Sequence, residues 1–182
     1  MKRIATFIAA TTALCAAQTA NAEIFTPPGS VGVLSGDVTV QKDLGVYNCT
    51  LTVTVTTGPD VLTNPPVSDV HGGVTITTPH AHTATATAAL SGGFPCGLIA
   101  VNNTATVTYD GTNVTLTGFE IVPPLSWGTC TGPIVAAWSN GPAATATLSV
   151  PTSNSTATAG ADCKMAGVLS QISGPALSIS YP

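Results

Sequence analysis

The chain has 182 residues, 44% of them hydrophobic but only 7% charged, with four Lys and Arg against eight Asp and Glu. A typical soluble protein carries about 25% charged residues, so solubility here must rest on Thr, Ser and Asn. Nucleic-acid affinity comes mainly from neutralised phosphates, and so sparse a set of bases excludes nucleic acid as a partner.

The first element is an export signal. Lys2 and Arg3 form a short positive region, Ile4 to Ala17 is an apolar run, and Ala20-Asn21-Ala22 is a small-x-small cleavage site. The run is shorter than the ~20 residues a transmembrane helix needs. Cys15 lies inside it and is lost with it. The expected domains are therefore a signal peptide over 1–22 and one secreted β domain over 23–182, with no transmembrane segment in the mature chain. Cleavage after Ala22 leaves 160 residues, enough for one core. Lys42 and Lys164 are then the only bases, against eight acids, for a net charge of −6.

Strands follow. From Tyr47 to Thr57 the residues alternate, with Cys49, Leu51, Val53 and Val55 on one face and threonines on the other. Period two marks a half-buried strand. The stretch 104–109 repeats the pattern, with Ala105, Val107 and Tyr109 inward. Asp110-Gly111 is a hairpin signal, and it leads into 113–117 with Val114 and Leu116 inward. The stretches 145–150 and 177–181 continue the theme. Turn signals separate these runs, among them Gly58-Pro59-Asp60, Gly72-Gly73, Gly92-Gly93 and Asn140-Gly141-Pro142. The Pro-rich 58–68 reads as a long loop, and 151–161 as a flexible insertion. No stretch after the signal shows helical periodicity with caps. The predicted fold is all-β: an antiparallel β-sandwich, or a strongly bent, barrel-like sheet.

Export makes Cys49, Cys96, Cys130 and Cys163 an even set in an oxidising compartment, so two disulfides are expected. Three pairings are open; the expected one joins Cys49 to Cys96 and Cys130 to Cys163. No Cys-x-x-Cys pair supports zinc instead.

The search for chemistry is mostly negative. His80-Ala81-His82 sets two imidazoles on one strand face, with His71 nearby, and such a pair binds Zn or Cu where a third ligand converges. Nothing in the sequence shows that convergence. His71, His80 and His82 are therefore weak metal candidates, and no metal or cofactor is expected. There is no Gly-x-Ser-x-Gly elbow. Asp37, Asp60, Asp69 and Asp110 read as turn formers rather than as carboxylate pairs, and no enzyme activity is expected. The Thr-x-Thr runs start at irregular intervals, so they read as β-propensity with a solvated hydroxyl face rather than as an ice-binding array. Four Asn-x-Ser/Thr matches, at Asn48, Asn102, Asn113 and Asn154, are chance in so Asn- and Thr-rich a chain. Trp127 and Trp138, with Phe94, Phe119 and Leu125, read as core. An exposed 123–127 loop presenting Leu125 and Trp127 to an apolar partner is the alternative.

The order and flanks of the cysteines resemble the protein activator of alkane oxidation family of secreted Gram-negative proteins. The stretches that carry the resemblance are Asn48-Cys49-Thr-Leu-Thr-Val53, Phe94-Pro-Cys96-Gly97-Leu98, Gly128-Thr-Cys130-Thr-Gly132, Ala137-Trp138-Ser-Asn140, Cys163 with Gly167-Val-Leu169, and Pro175-Ala-Leu-Ser-Ile179. The region 58–90 and Ala161-Asp162 fit the family less well. The resemblance implies a non-enzymatic extracellular protein linked to hydrocarbon uptake and to surface or biofilm adhesion. It implies structural disulfides at the four cysteines and carries over no catalytic motif. The partner would be an oil–water interface or a cell surface, with self-association as an option. On this reading, an edge strand at 83–88, with methyls on both faces, would adsorb to oil. The alternative reading is a chaperone–usher-like fimbrial or filament subunit, completed by an added strand.

Overall fold

The computed structural model describes residues 23–42, 45–63, 68–71, 74–124, 128–141, 146–151 and 163–181. The signal segment, Leu125, Trp127 and nearly all of 151–161 lie outside the described residues. In chain order the strands are β1 (Ile24–Thr26), β2 (Val31–Lys42), β3 (Gly45–Thr57), β4 (Asp69–His71), β5 (Val74–Ile76), β6 (Ala84–Ser91), β7 (Ala100–Asn102), β8 (Ala105–Tyr109), β9 (Asn113–Thr117), β10 (Glu120–Val122), β11 (Cys130–Thr131), β12 (Ile134–Ser139), β13 (Thr147–Val150), β14 (Cys163–Ser173) and β15 (Ser178–Ser180). One 3-10 turn, Cys96–Leu98, is the sole helical element among the described residues.

Eight of these strands close into a barrel in the order β2-β3-β6-β8-β9-β12-β13-β14 and back to β2. Every neighbouring pair is antiparallel, so the chain winds up and down around the wall. Of the two all-β forms the alternation allows, the chain takes the closed one. Closure removes every barrel edge. The strand at 83–88 is accordingly no edge: β6 pairs with β3 on one side and, over 84–86, with β8 on the other. Donor-strand assembly needs an incomplete sheet, and each of the eight strands has two neighbours.

Eight strands enclose a space that side chains can just fill. The alternating aliphatics do so: Leu34, Val38, Leu51, Val53, Ala86, Ala105, Val107, Leu116, Ala136, Leu148, Met165 and Leu169 are buried. The voids left among them measure about 10 Å³ each, room for one water at most. The outer face carries threonine instead. Thr56, Thr85, Thr106 and Thr117 are exposed and lie opposite one another across β3, β6, β8 and β9. A lipid-embedded barrel has the reverse order, aliphatic outside and polar within.

Both mouths are corked. At one, β1 pairs with β15 and brings Phe25, Leu177 and Ile179 over the core. Gln171 holds this cork by accepting from Leu177 N (3.0 Å) and donating to Pro175 O (2.5 Å). Asn140 ties it to β12 by accepting from Ile179 N and donating to Ile179 O, while the Trp138 indole N–H donates to Asn140 at 2.6 Å. Trp138 is thus half-buried against the core, and Phe119 is fully in it. At the other mouth a small sheet, β7-β10-β11, supplies Ile121 and Cys130, and the 3-10 turn before it adds Ile99.

Those short strands cannot hold themselves, and the disulfides do it for them. Cys49 of β3 bonds Cys96 in the 3-10 turn, and Cys130 of β11 bonds Cys163 at the start of β14. Each therefore rivets an excursion to a barrel strand, with the expected pairing, and both rivets lie toward the same mouth.

Two glycines let the barrel close. A Cβ at Gly36 would fall on the Val168 carbonyl oxygen, and one at Gly167 on that of Asp37. This bare seam lets β2 and β14 approach closely. Asp110 caps the β8–β9 turn as expected, accepting from Thr112 N and Asn113 N at 2.9 and 2.7 Å. Asp60 is also a turn former, accepting from Leu62 N. Asp37 and Asp69 are not. Asp37 sits in mid-strand and accepts from the Thr50 hydroxyl, and Asp69 lies in β4.

Candidate functional site

The 58–83 excursion between β3 and β6 crosses the mouth corked by β1 and β15. The described part of 58–68 carries no strand, as its prolines suggest, and β4 and β5 beyond it pair as a hairpin. Gly58 N donates to Thr83 O and Val61 N to His80 O, and the Asp60 carboxylate accepts from His80 N. Ala81 bridges Phe25 by two backbone hydrogen bonds of 2.9 Å. The backbone at 80–82 is thereby fixed, and both flanking imidazoles meet Asp69 of β4.

The geometry is tight. His80 Nε2 lies 2.8 Å from Asp69 Oδ2, and His82 Nε2 lies 2.6 Å from the same oxygen. The two rings meet edge to face with centroids 4.9 Å apart. His80 Nδ1 faces the Thr78 carbonyl at 2.8 Å, and His82 Nδ1 faces the Glu23 carbonyl at 3.1 Å. The His80 side chain is wholly buried, while those of His82 and Asp69 are 22% and 23% exposed. His80 is thus enclosed, while His82 and Asp69 reach solvent at the rim.

Each imidazole meets an acceptor oxygen at both of its nitrogens, and a neutral ring has one N–H to give. With that hydrogen on Nδ1, toward the backbone carbonyl, the Nε2 lone pair is left beside the carboxylate for a positive centre such as a metal ion. The three groups are the one His, Cys, Asp or Glu cluster with metal-ligand geometry among the described residues, with all ligand atoms within 4.8 Å. Two of the three metal candidates from sequence thus converge. His71 ends β4, and its side chain lies outside what the structure describes. The residue missed was Asp69. Its Asp-Val-His-Gly-Gly context reads as a turn, and no local signal shows that the hairpin folds back over residues 80–82.

The second notable surface is at the opposite mouth. Phe94 is 78% exposed and Leu98 59%, on the turn that the Cys49–Cys96 bond pins. Phe94 is therefore not core. No helix among the described residues is long and apolar enough to cross a membrane.

No curated protein and no solved structure matches the chain. The family model described as alkane oxidation protein activator, PraA/PraB-like, matches residues 1–181. That span takes in both disulfides, the whole barrel and both corks, and the chain belongs to the PraA/PraB-like family of alkane oxidation protein activators.

Proposed function

We propose that this chain is a secreted, non-enzymatic protein that works by adsorbing to hydrocarbon droplets and cell surfaces, aiding hydrocarbon uptake and adhesion. The observation that carries this reading is the filled barrel. Carriers of apolar ligands keep pockets of about 300–1,000 Å³, whereas the voids in this interior hold at most one water each. Contact with hydrocarbon must then be made by the exterior. Threonine rows present methyls beside weakly hydrated hydroxyls, and few charges hold water against the surface. Phe94 and Leu98 project from a turn that a disulfide keeps from collapsing. The leader at 1–22 and the oxidised cysteines support an extracellular location.

The test is pendant-drop tensiometry and emulsification with hexadecane. Full burial of a Phe or Leu side chain contributes about 1.5–3 kcal/mol, and these two are already partly covered. Losing both should cost roughly 3 kcal/mol of adsorption, on the order of a 100-fold weaker adsorption constant. Phe94→Ser with Leu98→Ser should show that loss with the fold intact. Purified wild-type protein that leaves interfacial tension and emulsions unchanged would defeat the proposal. Separating cells into periplasm, outer membrane and medium tests the location.

A further inference from the structure

We infer that Asp69, His80 and His82 form a binding site for a divalent first-row transition metal ion, with Zn²⁺ the best match to the ligands. The inference stands on geometry and is independent of the interfacial reading above.

Three observations carry it. First, both Nε2 atoms and one carboxylate oxygen converge from two separate segments, at 2.8 and 2.6 Å from nitrogen to oxygen. Ligand atoms around a tetrahedral zinc, at about 2.0–2.2 Å from the metal, lie roughly 3.3 Å apart. Each nitrogen–oxygen pair would open by about half an ångström or slightly more, within a set whose ligand atoms all lie within 4.8 Å of one another. Second, each imidazole is already oriented from behind. In the tautomer that frees Nε2, Nδ1 of His80 donates to the Thr78 carbonyl and Nδ1 of His82 to the Glu23 carbonyl. Metal-bound histidines are held in this way, because a carbonyl on the far nitrogen fixes tautomer and ring plane and frees the near lone pair for the metal. Third, a single carboxylate oxygen lies close to both imidazole nitrogens at once, so one divalent ion could take all three as ligands.

Ligand chemistry selects the class of ion. Calcium and magnesium prefer an all-oxygen shell, whereas two imidazoles with one carboxylate suit zinc, copper, nickel or iron. The partial exposure of His82 and Asp69 gives an ion a route in from solvent. A bound ion would clamp the β4–β5 hairpin, which carries the exposed Val70 and Val74, to the barrel mouth.

The experiment is calorimetric titration of the metal-stripped, disulfide-intact protein with ZnCl₂, beside Asp69→Asn and His82→Ala. Circular dichroism checks the folding of each variant. Those two positions are chosen because they are partly exposed, whereas loss of the buried His80 can unfold the mouth. The expected result is one zinc per chain. Each variant should lose more affinity than the roughly 10–100-fold that follows loss of an outer-shell partner. Zinc should also slow amide hydrogen exchange in 69–71 and 80–83 of the wild type and leave the far mouth unchanged. Absence of saturable one-to-one binding would overturn the inference. So would folded variants that bind zinc as the wild type does, or protection that fails to localise to these segments.

Discussion

Removing the two disulfides separately and together is the most demanding test of how this barrel is held. Cys49–Cys96 spans 47 residues and Cys130–Cys163 spans 33. In the chain-entropy model the loop lengths translate to about 4 and about 3.7 kcal/mol of stabilisation at 25 °C, through restriction of the unfolded chain. The two loops do not overlap in sequence, so the effects should add to nearly 8 kcal/mol. That is comparable with the whole stability of an ordinary domain, about 5–15 kcal/mol. All four cysteines are buried, which makes alanine the suitable replacement, because serine would bury a hydroxyl. A domain of this size shifts by about 2–4 °C per kcal/mol. Each paired Cys→Ala variant should therefore melt roughly 8–16 °C lower, and the quadruple variant should be largely unfolded at ordinary temperature. Scanning calorimetry of the three variants measures this. If each pair moved Tm by less than about 3 °C, the mouth would be held by its packing, and the view of the disulfides as rivets for the short strands would be wrong.

Two further outcomes follow from the wall and its turns. Gly36→Ala places a Cβ on the Val168 carbonyl at the β2–β14 seam; since backbone cannot yield cheaply there, amide exchange should rise along both strands while the remote β8–β9 hairpin stays protected. The Asp110 carboxyl is held below its ordinary value of 3.8 by hydrogen bonds from the Asn113 and Thr112 backbone N–H groups. A depressed carboxyl stabilises the fold above its unfolded pKa, and that contribution is lost as pH falls through the folded one. Wild type should therefore outlast Asp110→Asn at neutral pH, and the gap between their melting points should close below pH 3.8. A gap that widens in acid would contradict the assigned hydrogen bonds.

The proposed metal site was half legible. His80 and His82 stand out because their spacing of two puts them on one side of an extended segment, a local property. Asp69 lies 11 and 13 residues away and reads as a turn former, because aspartate suits turns and its neighbours are glycines. Phe94 reads as core for a related reason: aromaticity argues for burial, and only the path of the disulfide-pinned turn turns it outward. The Thr-x-Thr runs are irregularly spaced along the chain, yet Thr56, Thr85, Thr106 and Thr117 fall in one row, because strand register and connection length together decide alignment.

What the chain declares by itself is the inward face of β3, β8 and β9, the all-β class and the even set of cysteines. Alternation is written residue by residue, and a pleat converts it directly into two faces. Tertiary structure alone decides that eight strands close, that their interior is full, and that a carboxylate meets two imidazoles at the rim. Those outcomes depend on contacts between segments far apart in sequence, set by the register of every strand, by the glycine seam and by the return of each excursion to the wall.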